Sequence, residues 1–173
     1  MARIDDIKTL LDITDTSQDA KLALIITAMT SLVENKTGYK ITEETITEVQ
    51  DGVKQRVVLL KWMNVKTLTS VKYDDNGTWA DFDADTYDID KSIGKLYFWA
   101  ELTRGPQNIQ IIYVAGGENV PADLSDAVNQ LIIQRYTTAG RGIKSESVDG
   151  ASVTYGDNID FATHPVLSQY MRV

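Results

Sequence analysis

The chain has 173 residues, of which 43% are hydrophobic and 24% charged, and its net charge at pH 7 is −8. These values are typical of a soluble globular protein with one domain and a substantial core. The acidic balance and the lack of a Lys/Arg cluster argue against a surface that grips DNA through its phosphates. Because the chain has no cysteine, disulfides, thiolate catalysis and cysteine-bound zinc are excluded. The acidic start "MARIDD" and the short apolar runs predict synthesis in the cytoplasm without a signal peptide or membrane segment.

The first forty residues have the pattern of two helices. A short helix "IDDIKTLLDI" precedes the polar break "TDTSQD", in which Thr16 or Ser17 can cap the next helix. Gly38 stands where a left-handed residue ends a helix. The second helix carries one apolar stripe at helical spacing, formed by Leu22, Ile25, Ile26, Met29, Leu32 and Val33.

From about residue 45 to residue 114 the pattern changes to strands. The strand candidates are the β-branched or aromatic runs "RVVLL", "VKTLTSVKY", "TWADF", "KLYFWA" and "NIQIIYV". Asn76-Gly77 predicts a tight hairpin, and Ser92-Ile93-Gly94 begins another turn. Strands this short and closely spaced favour an antiparallel meander.

Two glycines follow the last of these strands. Gly116-Gly117 stands between "YVA" and a helix that Pro121 opens. The sequence "AGGENVP" lacks the spacing of either a dinucleotide fingerprint or a triphosphate loop. We therefore interpret the pair as a structural hinge and not as a phosphate site. The helix has one apolar face, to which belong Leu124, Ala127, Val128, Leu131, Ile132, Arg135 and Tyr136.

The last part of the chain, residues 141–173, is poor in large apolar residues. Asp149-Gly150 predicts a hairpin, and "HPVLSQYMRV" offers a short amphipathic tail. Such a segment buries little by itself, so we expect an arm that becomes ordered on a partner.

The predicted fold class is therefore α+β, a small helical bundle core with an inserted antiparallel β meander and a C-terminal hairpin arm. The expected single domain divides into a helical core at 1–40 and 118–140, a β-rich insert at 41–117, and the hairpin and tail arm at 141–173. The two amphipathic helices that flank the insert are expected to pack together.

The sequence contains one weak candidate for a metal site. Asp81, Asp83 and Asp85 fit the start of a calcium loop, but Thr86 and Ser92 occupy the positions that require glycine and glutamate. We interpret the three aspartates as one solvated strand face, and we predict no metal and no cofactor.

No catalytic constellation stands out either. His164 is the only histidine, and no nucleophile elbow is present. We predict that the protein is not an enzyme. A hydrolase that uses His164 with Asp or Ser groups remains an alternative to the two non-enzymatic functions considered below. The aromatic residues of the insert are most simply explained by packing between strands, although they also suit a carbohydrate- or surface-binding module. They are Tyr73, Trp79, Tyr87, Tyr97, Phe98 and Trp99.

The order of these parts resembles the head–tail connector (adaptor) proteins of tailed phages and prophages. The resemblance begins in the polar break from Asp15 to Asp19 and in Thr37-Gly38-Tyr39 after the long helix. The segment "VKTLTSVKYDDNGTW" is similar to the variable β insert of that family, and "GIKSESVDGASVTYG" and "VLSQYMRV" are similar to its serine-rich hairpin and closing segment. The junction after the insert matches through Tyr113, Ala115, Gly116, Pro121, Asp123, Leu124 and Ala127.

The resemblance implies a virion structural protein without enzymatic activity. It would form a dodecameric ring beneath the portal at the head–tail junction and join the portal to a stopper or tail-completion protein. The acidic subunits would line a channel through which DNA slides without sequence-specific binding, and no membrane would be involved. The arm would contact the portal, and its candidate residues are Ile143, Val148, Val153, Tyr155, Val166, Leu167, Tyr170, Met171 and Arg172.

Overall fold

A computed structural model describes residues 4–117, 120–141, 145–148, 151–154 and 165–171 of the chain. The helices are α1 (Ile4–Leu10), α2 (Asp19–Thr37), α3 (Ala122–Arg141) and α4 (Leu167–Tyr170). The strands are β1 (Glu44–Gly52), β2 (Val57–Leu59), β3 (Val65–Asp75), β4 (Thr78–Asp81), β5 (Tyr87–Asp90), β6 (Lys95–Phe98), β7 (Gly105–Ala115), β8 (Ser145–Val148) and β9 (Ala151–Thr154). These elements belong to two compact units. The helical unit comprises Met1–Thr37 and Pro121–Val173, and the β unit comprises Gly38–Val120.

The helical unit is built around the packing of α2 against α3. The predicted stripes supply most of its core, since Leu22, Ile26, Met29 and Val33 of α2 are buried, as is the apolar face of α3 from Leu124 to Ile132. Of the other predicted members, Ile25, Leu32 and Tyr136 are half-buried and Arg135 is exposed. The Lys21 ammonium lies 4.8 Å from the centre of the Tyr136 ring, so the first turn of α2 contacts the C-terminal half of α3. The predicted packing of the two helices is thus confirmed.

The ends of α2 show one confirmed prediction and one correction. Gly38 follows the helix with a φ of 70°, as predicted for a left-handed terminal residue. Ser17 is not a side-chain cap, because its hydroxyl and its N–H both donate to the Asp15 carboxylate, at 2.6 and 2.8 Å. These hydrogen bonds lower the pKa of Asp15, the side-chain bond most strongly.

The β unit consists of two antiparallel sheets that share one core. The larger sheet has the strand order β1-β7-β3-β4, and the smaller sheet has the order β2-β6-β5. Buried side chains of both sheets form a single cluster, in which Tyr113, Ile111 and Ile109 of β7 lie with Val58, Leu96 and Phe98 of the smaller sheet. The antiparallel character is confirmed. The meander order is wrong, because β7 enters between β1 and β3 and its buried side chains supply the centre of the core.

Two strands of the β unit were missing from the sequence prediction. β1 was missed because its half-buried positions include the polar Glu48 and Gln50 while Val49 is exposed, and β5 because its sequence "YDID" lies in an acidic run. The Asn76-Gly77 hairpin is confirmed, with φ values of 54° and 90° between the paired residues Asp75 and Thr78. The turn that ends at Gly94, where φ is 62°, joins β5 to β6.

Candidate functional site

The predicted arm consists of two different structures. β8 and β9 form a two-stranded sheet of their own, with Val148 paired to Ala151 across the predicted turn. The hairpin prediction is thereby confirmed. Of the candidate portal residues, Val148 lies in β8 and Val153 lies in β9. The candidates Ile143, Tyr155 and Arg172, and the histidine His164, lie outside the described residues. An isolated hairpin of this size has little stability of its own.

The closing segment packs on the helical unit to which it belongs. α4 contacts α2, the side chain of Leu167 is fully buried, and the Tyr170 hydroxyl donates to Oδ1 of Asp123 at 2.8 Å. Leu167, one of the candidate portal contacts, has its side chain in the core of its own unit, so the portal contact predicted for it stays a prediction. Val166, Tyr170 and Met171 are half-buried. The expectation that the entire arm depends on a partner does not hold for this turn of helix.

The glycine pair has a structural role in the β unit. The N–H of Gly116 donates to the carbonyl of Asn64 at 3.0 Å, and the N–H of Gly117 donates to the carbonyl of Ile41 at 2.9 Å. Their φ values are 83° and 88°. A Cβ added to Gly116 would lie 2.6 Å from the carbonyl carbon of Thr42, which leaves no room for a side chain. Because both N–H groups are already bonded to backbone carbonyls, the pair offers no donors to a phosphate.

The calcium candidate does not form a single strand face. β4 ends at Asp81, and the carbonyl of Asp83 accepts the Thr86 N–H in a turn at 2.9 Å. The alternation predicted for Asp81, Asp83 and Asp85 is therefore wrong, because the strand is shorter than the run. Across the described part of the chain, no group of three His, Cys, Asp or Glu side chains is placed to hold a metal ion.

The aromatic residues of the β unit divide between core and surface. The rings of Tyr73 and Phe82 lie 5.0 Å apart, and that of Phe82 lies 5.3 Å from Phe98, so these three form a connected packing cluster. Tyr73 lies at the exposed edge of this cluster, at 38% exposed, and Trp79 and Trp99 are 39% and 61% exposed. The packing interpretation thus accounts for the cluster, while the two tryptophans keep much of their surface in solvent.

A cavity of about 340 Å³ opens beside this cluster. One part of its wall is formed by the side chains of Tyr73, Phe82, Leu102 and Ile109. Its remaining lining residues are Asp74, Asp75, Glu101, Thr103 and Asn108. Sequence reasoning missed this site, because Glu101 to Ile109 are remote in sequence from the hairpin of β3 and β4.

One polar cluster was also missed, and its role is structural. The Glu48 carboxylate accepts a hydrogen bond from the Tyr113 hydroxyl and others from the Lys61 N–H and the Gln50 amide, at 2.9 Å each to the nearer oxygen. Glu48 thereby connects β1 to the chain that follows β2. Periodicity gives no signal for such a cluster, since its members are brought together only by the pairing of the strands.

None of the helices in the described ranges combines the length with the hydropathy that a membrane-spanning segment requires.

Comparison with known proteins gives one family and several similar structures. The family model described as "Head completion protein" matches residues 1–173. A chain in the neck of an empty gene transfer agent (GTA) particle, computed with C6 symmetry, has a TM-score of 0.72 at 18% identity, over 99% of this chain and 90% of that chain. A chain in the neck of the native GTA particle, computed with C12 symmetry, has a TM-score of 0.64 at 20% identity, over 89% of this chain and 83% of that chain. A chain in the virion of the native GTA particle has a TM-score of 0.64 at 19% identity, over 91% of this chain and 79% of that chain. No curated protein is significantly similar in sequence.

Proposed function

The chain belongs to the head completion protein family, and on this premise we propose that it is a structural protein of the virion neck, placed at the head–tail junction. The observation that carries this proposal is the family match over all 173 residues. The similar fold of neck chains in GTA particles supports it.

We propose further that copies of the chain form a closed ring around a DNA channel. The GTA necks with similar chains were computed with C6 and C12 symmetry, which suits rings of repeated subunits. In such a ring each subunit meets the next through unlike surfaces. A net charge of −8 on each copy would repel DNA from the channel wall and let it pass without binding.

The portal is the proposed partner on the head side, and a stopper or tail-completion protein is the proposed partner on the tail side. The hairpin of β8 and β9 is the best candidate for portal contact, because its two strands pair with each other in a sheet separate from the two sheets of the β unit. Its apolar positions Val148 and Val153 become the first residues to test. Since α4 packs on its own chain, the closing segment becomes a secondary candidate.

The test combines this chain with the purified portal ring of the same particle. We expect co-sedimentation, and native mass spectrometry should show several copies of the chain per portal ring. Val148→Asp with Val153→Asp should abolish co-sedimentation while the helical circular dichroism is unchanged. The matched control is Thr137→Asp with Gln134→Asp on the exposed side of α3, which should bind normally. No co-sedimentation of the wild-type chain under any ring-forming condition would contradict the proposed role.

A second candidate function is carbohydrate or surface binding by the β unit. The exposed tryptophans Trp79 and Trp99 favour it, since sugar rings stack on such side chains. Glycan binding that is lost in Trp79→Ala or Trp99→Ala, together with no affinity for the portal, would select this alternative.

A further inference from the structure

We propose that the cavity beside β3 and β4 is a docking site for an arginine side chain presented by an adjoining protein. The site itself is independent of the proposed function, whereas the identity of the adjoining protein as another neck component rests on it. Four observations carry the proposal: the cavity, its aromatic wall, its carboxylates that form no ion pair among the described residues, and its hydrogen-bonded framework.

The cavity has the size and the wall of a ligand site. Its volume of about 340 Å³ is within the range of small-molecule pockets. Tyr73 and Phe82 form an aromatic corner in which the two ring planes are inclined by 58°. The faces of such rings attract a flat cation, and guanidinium groups stack on them more readily than ammonium groups.

Carboxylates surround this aromatic corner without compensating cations. Asp74, Asp75 and Glu101 line the cavity, and no Lys or Arg does. Among the ion pairs of the described residues, none includes these three carboxylates. Asp74 Oδ1 accepts the Gly77 N–H at 2.6 Å, and Asp75 Oδ1 accepts the Asn76 amide at 3.0 Å. These local bonds orient the two carboxylates and leave their charge uncompensated.

The segment that continues from the cavity along β4 and β5 carries the same charge. From Asp74 to Asp90 the chain has seven aspartates and no basic residue. Arg104 follows the lining residue Thr103, but it is exposed and does not line the cavity. A cationic side chain is therefore attracted from outside, and an anionic or phosphate-bearing ligand is repelled.

The framework of the cavity is already in place. Asn108 accepts the Gly52 N–H at 2.6 Å through its carbonyl oxygen and donates to the Thr103 carbonyl at 2.9 Å through its amide nitrogen. Ile109 and Leu102 are buried in the core of the β unit. A preformed wall reduces the entropy lost on binding, which helps a single side chain to bind.

The test is a titration of the full-length ¹⁵N-labelled chain with N-acetyl-arginine methylamide, followed by two-dimensional NMR. We expect saturable shifts of the backbone amides of Tyr73, Asp75, Glu101 and Thr103. The neutral isostere N-acetyl-citrulline methylamide should bind at least fivefold more weakly, since it lacks the charge but keeps the planar shape. Raising the salt concentration should weaken the arginine probe and leave the citrulline probe unchanged.

Paired variants separate the site from the general acidity of the region. Asp75→Asn with Glu101→Gln should weaken the arginine probe about tenfold. Asp83→Asn with Asp85→Asn removes the same charge from the same acidic region outside the cavity, and it should change binding less than twofold. Equal binding of arginine and citrulline probes, equal weakening by both variant pairs, or no localised shift would overturn the proposal. Binding of methyl β-glucopyranoside at these amides in place of arginine would also overturn it, in favour of a sugar site.

Discussion

Gly116→Ala tests whether the glycine pair is structural. The substitution adds one methyl group where φ is 83°, and this left-handed conformation alone costs an L-residue about 1–2 kcal/mol. The new Cβ would lie 2.6 Å from the carbonyl carbon of Thr42. The carbonyl oxygen of Thr42 would be closer still, so restoring ordinary contacts of 3.4 Å requires a backbone movement of more than about 0.8 Å. The neighbouring N–H of Gly117 is bonded to Ile41, so this movement strains the junction of β1 and β7.

Gly77→Ala is the matched control for this substitution. Its φ is 90°, but a Cβ there would meet nothing within 4 Å. The control should therefore lose only the conformational term of about 1–2 kcal/mol. Gly116→Ala should lose that amount and a further ~1–3 kcal/mol, which is the usual effect of overpacking.

The assay is urea unfolding followed by tryptophan fluorescence. Because Trp62, Trp79 and Trp99 all lie between Gly38 and Val120, this signal reports on the β unit. The two variants should differ in midpoint by about 1 M urea, if the slope for a unit of this size is ~1–2 kcal/mol/M. Equal midpoints for the two variants would refute the close-packing argument. An increase of the wild-type midpoint with added pyrophosphate would revive the phosphate interpretation.

Three further predictions concern the helical unit and the response to acid. Ile26→Asp should unfold the helical unit, because an unpaired buried carboxylate costs several kcal/mol; the neighbouring control Leu24→Asp, at a position that is 74% exposed, should keep its circular dichroism at 222 nm. Leu167→Ala should destabilise the same unit by about 2–4 kcal/mol, because it leaves a buried cavity. Tyr170→Phe should destabilise it by about 0.5–1.5 kcal/mol, because the hydrogen bond to Asp123 is lost. Wild-type stability of both variants would show that α4 is not docked on the helical unit. The hydrogen bond and the charge of Lys40 lower the pKa of Glu44 below its ordinary value. The Glu44 carboxylate therefore binds a proton more tightly in the unfolded state than in the folded state. The stabilisation by Glu44 is consequently lost as the pH falls through the folded-state pKa. Glu44→Gln should therefore flatten the acid limb of the stability–pH curve of the β unit, and an unchanged limb would contradict the contribution of this ion pair.

Local patterns predicted most of the elements and the helical core. The stripe from Leu22 to Val33 and the face from Leu124 to Ile132 are both buried, because a periodic apolar face has no stable alternative to packing. Gly38 and Asn76-Gly77 were predicted because few residues adopt a positive φ, and both are found in that conformation.

Features that depend on remote contacts were not predictable in the same way. The sequence contains no signal that β7 enters between β1 and β3, since strand order depends on the whole core and not on any one strand. The buried Thr30, Glu34 and Thr37 of α2 were also missed, because a polar residue on a helix is normally expected in solvent. The cavity at Asp75 and Glu101 combines residues from segments about 25 positions apart.

The candidate arm shows why composition alone gave only part of the answer. The small residues around Asp149-Gly150 predicted the hairpin, and β8 and β9 are paired as expected. The same reasoning treated the closing segment as an extension of the arm. Leu167 instead lies in the core of the helical unit, and its burial together with the hydrogen bond from Tyr170 to Asp123 connects this short turn to that unit.

The most direct test of the proposed function is cryo-electron microscopy of the neck of the particle whose genome encodes this chain. The account predicts density for both of its units in a closed ring between head and tail, with the hairpin of β8 and β9 directed to the portal. A completed neck without density for this fold would contradict it.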